Sequence, residues 1–151
     1  MKSCFMFGHA DSPEDILPKI ESAVLSQYTI HDITVFYVGN RGRFDSLAAT
    51  AVKHAKRIHP DIQLFLLLAY HPGEKAVELT EGFDGSFYPL LGNVPRRYAI
   101  VRANQHMVDT VDSLICFVKH VGNTRNLLEY AKRRQINDKI IIHNTATDTD
   151  Y

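Results

Sequence analysis

The segment T-V-F-Y-V-G-N-R-G-R-F-D-S-L-A-A-T-A, from Thr34 to Ala51, changes its character half-way along. Val35 to Val38 is a β-branched and aromatic run, the composition of a strand. It stops at Gly39, a turn of Gly, Asn and Arg follows, and helix-forming residues begin near Phe44. That is strand, tight loop, helix. In a parallel sheet such a loop brings bare backbone N–H groups and a helix N-terminus together, a setting that favours an anion such as phosphate.

The flanking sequence repeats this pattern. Ser3 to Phe7 is a short apolar run ending at Gly8, and it reads as a first strand. Asp11 to Asp15 carries a cap residue, a proline and acids, the signature of a helix start. That helix is predicted to reach about Tyr28, with Ile16, Ile20 and Val24, joined by Leu17 and Ala23, facing the core. Ile33 to Val38 is nearly all apolar, as expected of a strand covered on both faces. The next helix, Phe44 to Ile58, places Leu47, Ala51, Ala55 and Ile58 on one stripe, and Gln63 to Leu68 is a third strand. From residue 69 to 94, a stretch holding Pro72, Gly73, Gly82, Gly85, Pro89 and Gly92, there is no sustained period. Loops of this length are usually functional or partly mobile, and Tyr70, Phe83, Phe87 and Tyr88 either pack it onto the body or stack on a ligand as a lid. Arg96 to Asp109 resumes as a helix with Ile100, Asn104 and Met107 along one side. Ser113 to Val118 is a fourth strand, Thr124 to Arg134 an amphipathic helix with Leu127, Leu128 and Ala131 inward, and Lys139 to His143 a fifth strand. The polar residues from Asn144 onward read as a frayed tail.

Strands alternating with helices over 1–151 imply a single α/β domain of three layers with a mainly parallel, five-stranded sheet. Right-handed crossovers leave few topologies, and the expected order is 3-2-1-4-5. That order has a switch point between the first and fourth strands, where ligands bind beyond the carboxyl ends.

Composition excludes several function classes. Lys+Arg and Asp+Glu are equal at 17 each, so no global field recruits nucleic acid or an anionic membrane. No segment reaches the roughly 18 apolar residues of a membrane span, and the N-terminal apolar run is too short for a signal peptide; a cytoplasmic protein is expected. Cys4 and Cys116 lie within apolar strands as small hydrophobes, and no histidine pair has metal-ligand spacing, so no metal is expected.

Three loops follow strands at the switch-point edge: Gly8-His9, Gly39-Asn40-Arg41-Gly42 and Gly122-Asn123-Thr124. Each leads into a helix, and together they point to a phosphate-bearing or otherwise anionic ligand. None is a G-x-G-x-x-G fingerprint or a G-x-x-x-x-G-K-[ST] loop, which argues against a nicotinamide dehydrogenase or an ATPase and leaves no cofactor expected. Arg41 can fork onto a phosphate or stay solvated. Asp45 can cap N–H groups, hold ribose hydroxyls or act as a base. His9 can donate a hydrogen bond, act as a general acid or brace its turn, and Thr124 reads as an N-cap.

Four passages carry a resemblance. G-H at 8–9, F-Y-V-G-N-R-G-R-F-D at 36–45, Y-A-I-V-R-A-N-Q-H-M-V-D at 98–109 and G-N-T-R-N-L-L-E-Y-A-K at 122–132 resemble the YpsA-like branch of the SLOG superfamily. The resemblance covers nearly the whole chain. It implies a Rossmann-like domain that binds a nucleotide or nucleotide-derived ligand, with Gly39 to Asp45 (Phe44 included) and Gly122 to Thr124 at phosphate and ribose, and Arg102 and Asn104 facing the same pocket. Lonely Guy phosphoribohydrolases and the DprA DNA-processing proteins belong to the superfamily. The hydrolases carry P-G-G-x-G-T-x-x-E, whereas this chain has V-G-N-T-R-N-L-L-E: Leu127 stands at the catalytic Glu position, and Glu129 is rotated from it by roughly 200° around the helix. Relatives in the branch often have Arg after G-H, where this chain has Ala10. The resemblance therefore implies a binding module first. The alternatives are an N-glycosidic or phosphoribosyl hydrolase using Asp45 or Glu129 with His9, and DprA-like single-stranded DNA binding through Arg96-Arg97 and Lys132-Arg133-Arg134. Pairing through helices that flank the sheet would make a homodimer.

Overall fold

A computed structural model describes residues 1–70 and 77–151. The chain forms strands β1 (Lys2–Gly8), β2 (Ile33–Val38), β3 (Gln63–Leu67), β4 (Gly85–Phe87), β5 (Ser113–Phe117), β6 (Ile141–Asn144) and β7 (Thr149–Asp150). The helices are α1 (Leu17–His31), α2 (Arg43–Ile58), α3 (Ala99–Thr110) and α4 (Asn123–Arg134), with single 3-10 turns at Glu14–Ile16 and Arg96–Tyr98.

The sheet runs β4-β3-β2-β1-β5-β6-β7, parallel except for the antiparallel pair β6–β7. It therefore has seven strands and not the expected five in the order 3-2-1-4-5. The additions lie at the two edges, where the sequence carries little periodicity. β4 is three residues taken from the stretch without a pattern, held where Asp84 N donates to the Leu64 carbonyl and Leu68 N to that of Phe87, each at 2.8 Å. β7 is two residues of the tail that was expected to fray.

Alternation along β1 sorts the core into two halves. Cys4 and Met6 point to one face, where Ile20 and Val24 of α1 and Phe44, Ala48, Ala51, Val52 and Ala55 of α2 cover them. Phe5 and Phe7 point to the other, beneath Ala103, Met107 and Val108 of α3 and Leu127, Leu128 and Ala131 of α4. Three layers result, α1 and α2 on one side and α3 and α4 on the other. Both cysteines are fully buried; burial pushes the Cys4 thiol up to about 12 and that of Cys116 upward too, so they serve as small apolar fillers.

The stripe on α2 is rotated from the one expected. Phe44, Ala48, Ala51, Val52 and Ala55 recur at helical spacing and are buried, while Ile58 is 66% exposed. Phe44, the second residue of α2, is fully buried and anchors the helix start, which shifts the stripe from that of Leu47, Ala51, Ala55 and Ile58. Phe83 and Phe87 pack against the body of the protein; residues 71–76, with Pro72 and Gly73, lie outside the described residues. No described helix is long and apolar enough to cross a membrane.

The tail is anchored through one side chain. Asn144, 2% exposed, accepts hydrogen bonds from Val118 N at 3.0 Å and Ala146 N at 3.1 Å and donates to the Val118 carbonyl at 3.0 Å. Thr145 adds a backbone and a side-chain bond to the Cys116 carbonyl. Replacing Asn144 by Ala leaves buried groups without partners and is expected to cost about 2–4 kcal/mol in urea unfolding. A loss within about 0.5 kcal/mol, as for an ordinary surface change, would mean that the tail is as loose as its composition suggests.

Candidate functional site

At the carboxyl end of the sheet the strand order reverses between β1 and β5, and the loops after β1, β2 and β5 meet there. The β1 loop holds the other two in place. Ala10 accepts a hydrogen bond at its carbonyl from Arg43 N, the first residue of α2, at 3.0 Å. His9, 4% exposed, accepts one at Nε2 from Lys119 N at 2.9 Å and a longer one from His120 N at 3.3 Å, and its ring stacks on that of His120 at 3.6 Å. Burial lowers the His9 pKa, and His120 and Arg125 push the same way while Asp11 opposes them, so the neutral ring is favoured and serves as an acceptor.

Helices α2 and α4 begin alike. Each is preceded by a glycine in a conformation that side chains rarely adopt: Gly42 at φ 141°, ψ −171° and Gly122 at φ 144°, ψ −167°. Neither helix has a side-chain cap, so Thr124 is not the expected N-cap but the second residue of α4. The two starts differ in their surroundings. A Cβ at Gly42 would lie 2.6 Å from Ala10, whereas one at Gly122 would meet nothing within 4 Å. Among the described residues the first three N–H groups of α4 have no acceptor, and the positive end of its dipole is open.

Beside these helix starts lies a cavity of about 460 Å³, within the range of small-molecule sites. Phe5, Phe7, Leu67, Ile100 and Leu127 contribute an apolar surface, and Asn104, Gln105, Asn123, Thr124 and Asn126 a polar one. Arg41, Arg97 and Arg133 line it as well, and among the described residues none of the three has an ion-pair partner. Tyr130 is held by its hydroxyl, which donates to the Asp109 carboxylate at 2.9 Å; burial and that bond both raise its pKa.

Asp45 is the acid in this lining. Its Oδ2 accepts Arg41 N at 2.8 Å and lies so near Gly39 that a Cβ there would be 2.8 Å from it. Burial pushes the carboxyl from 3.8 up to about 6, against the pull of the Arg41 N–H and guanidinium. Near neutral pH it can accept a hydrogen bond, or donate one when protonated.

Of the residues singled out from the sequence, Gly8, Gly39, Arg41, Asp45, Asn104, Asn123 and Thr124 line the cavity. His9, Asn40, Gly42, Phe44, Arg102 and Gly122 do not. His9 braces two loops, Gly42 and Gly122 start helices, and Phe44 is buried beneath Gly8. Asn40 and Arg102 face solvent, the latter close enough to Tyr130 to bias its titration. Glu129 also stands outside the lining, paired with Lys132 at 3.5 Å, so the acid/base partners considered for a hydrolase are not gathered around the cavity. The basic run at 132–134 is divided: Arg134 donates to the carbonyls of Val108 and Val111, and only Arg133 reaches the cavity. Arg97, Gln105, Tyr130 and Arg133 were missed as pocket residues. A doublet of arginines ahead of a helix was a usable signal for Arg97; Gln105 and Tyr130 carried none.

His9, Asp11 and His120 are the described group whose donor atoms fall within 4.8 Å of one another, as a metal would need. Since His9 Nε2 is already used by the Lys119 and His120 N–H groups, the cluster is better described as a brace.

The fold has a solved counterpart. A molybdenum cofactor carrier protein from Chlamydomonas reinhardtii is similar over 95% of this chain and 76% of its own, with a TM-score of 0.57 and 16% sequence identity. At that identity the likeness is one of fold alone. No protein-family model matches the chain, and no curated protein sequence does.

The Asp45 titration has a consequence for stability. Its folded pKa of about 6 exceeds its unfolded value near 3.8, so its contribution is fully present below pH 4 and is lost as pH rises through 6. Asp45→Asn is expected to be more stable than the parent at pH 8 by about 2–3 kcal/mol, the gap closing towards pH 4. Equal stability of the two at pH 8 in urea unfolding would contradict the burial of this charge.

Proposed function

We propose that this chain binds a nucleotide or nucleotide-derived small molecule in the cavity between β1, α3 and α4. One observation carries the reading: arginines 41, 97 and 133, without an ion-pair partner among the described residues, line a cavity that also has an apolar surface, next to the open N-terminus of α4. A base or similar flat group fits against Phe5, Phe7 and Leu127, and a phosphate fits between Arg97, Arg133 and the α4 N–H groups. Asp45 is placed to hold a sugar hydroxyl or a ring N–H. The loop resemblance to SLOG domains supports the same ligand class, and the similar fold of a protein that carries a cofactor is in keeping with carriage of a small molecule. Binding, not turnover, is the function supported best, because among the described lining residues Asp45 has no histidine and no second carboxylate beside it to share acid and base roles.

The test is a melting-temperature screen with nucleoside monophosphates, nucleotide sugars and dinucleotides. At least one is expected to raise the melting temperature in a concentration-dependent way. Arg97→Gln and Arg133→Gln together should weaken that ligand by about 10- to 100-fold, since charge-assisted bonds to phosphate are lost. If no member of the panel stabilises the protein, or if the double variant binds as well as the parent, the reading is wrong.

A further inference from the structure

The charges around the cavity do not balance. The whole chain is neutral, with 17 basic and 17 acidic residues, and Arg43 and Arg134 each have a carboxylate within 4 Å. Arg41, Arg96, Arg97 and Arg133 have none among the described residues. Arg96 is not part of the lining, but it is tied to it through one ring. Its guanidinium lies 4.4 Å from the centre of Tyr70, and that of Arg41, which does line the cavity, lies 5.1 Å from the same centre. The two cations are therefore no further apart than those two distances laid end to end, about one Debye length at physiological salt. Stacking on an aromatic face attracts each of them but does not neutralise either.

Among the described residues, these four arginines are opposed at the lining by the carboxyl of Asp45, which leaves about three positive charges. A phosphate monoester brings at most two negative charges. Resting on the proposal that the cavity binds a phosphate-bearing ligand, we infer that the site is built for two linked phosphates: one between Arg97, Arg133 and α4, the second at a rim made by Arg41, Tyr70 and Arg96. The ligand class is then a diphosphate ester. A polynucleotide is a poorer match, because its charges are spread along a strand and the arginines here surround a cavity instead of following a groove.

Titration calorimetry at fixed salt, without divalent metal, tests this with inorganic phosphate, inorganic pyrophosphate and a single-stranded DNA 12-mer as probes. Arg96→Gln is compared with the parent and with Arg57→Gln, a control at the far end of α2. Pyrophosphate is expected to bind about tenfold or more tighter than phosphate. Arg96→Gln should remove most of that preference while leaving phosphate affinity within about twofold, and Arg57→Gln should change neither. Phosphate binding without a preference for pyrophosphate overturns this inference and leaves the cavity reading standing. Equal weakening of both anions by Arg96→Gln, or tighter binding of the 12-mer than of pyrophosphate, also overturns it. Binding of neither anion overturns both readings.

Discussion

The working edge of this protein depends on how closely the end of β1 meets its neighbours. A Cβ on Gly8 would stand 2.4 Å from the ring of Phe44, so only glycine lets that ring settle beneath the strand. One residue on, His9 takes the backbone N–H groups of Lys119 and His120, and Ala10 takes that of Arg43. Three consecutive residues thereby fix the β2 and β5 loops relative to β1. The groups that line the cavity come from separate segments of chain, and this brace holds them together at one place. Preformed geometry of this kind lowers the ordering cost of binding.

From that brace the roles of the two helix starts diverge. Gly42 and Gly122 share one backbone conformation, but Ala10 crowds the first and nothing crowds the second. At α2 the Ala10 carbonyl takes the N–H of Arg43, and Asp45, the third residue of the helix, accepts that of Arg41; at α4 the first three N–H groups have no acceptor among the described residues. The same motif is used once to hold the protein together and once to leave a site exposed. Asp45 shows the tension between the two uses, since desolvation of its half-buried carboxyl works against stability at neutral pH. A group retained in a cavity at such a cost is a reasonable marker of function.

How much of this could be read from the sequence depended on the strength of periodicity. The central strands and all four helices announced themselves through continuous apolar runs and helical spacing, because both faces of the sheet are covered. The edge strands β4 and β7 did not: with three and two residues they have no period to detect, and their pairing is set by Asp84 and by the buried amide of Asn144. Glycine-ended strands marked the loops correctly, yet the distinction between lining the cavity and bracing it was out of reach. Thr124 changed role on that account, lying one residue past the helix's first, while His9 took the bracing role among its alternatives, as an acceptor. Tyr130 and Gln105 reach the cavity from helical faces whose local sequence resembles any solvated surface.

The central claim is that anions bind between the α4 start and the cavity arginines. Amide chemical-shift mapping during titration with inorganic phosphate tests it most directly. The largest shifts are expected on Asn123, Thr124 and Arg125, with smaller ones at Gly39 to Arg43. Shifts confined to another surface, or none up to millimolar phosphate, would contradict it.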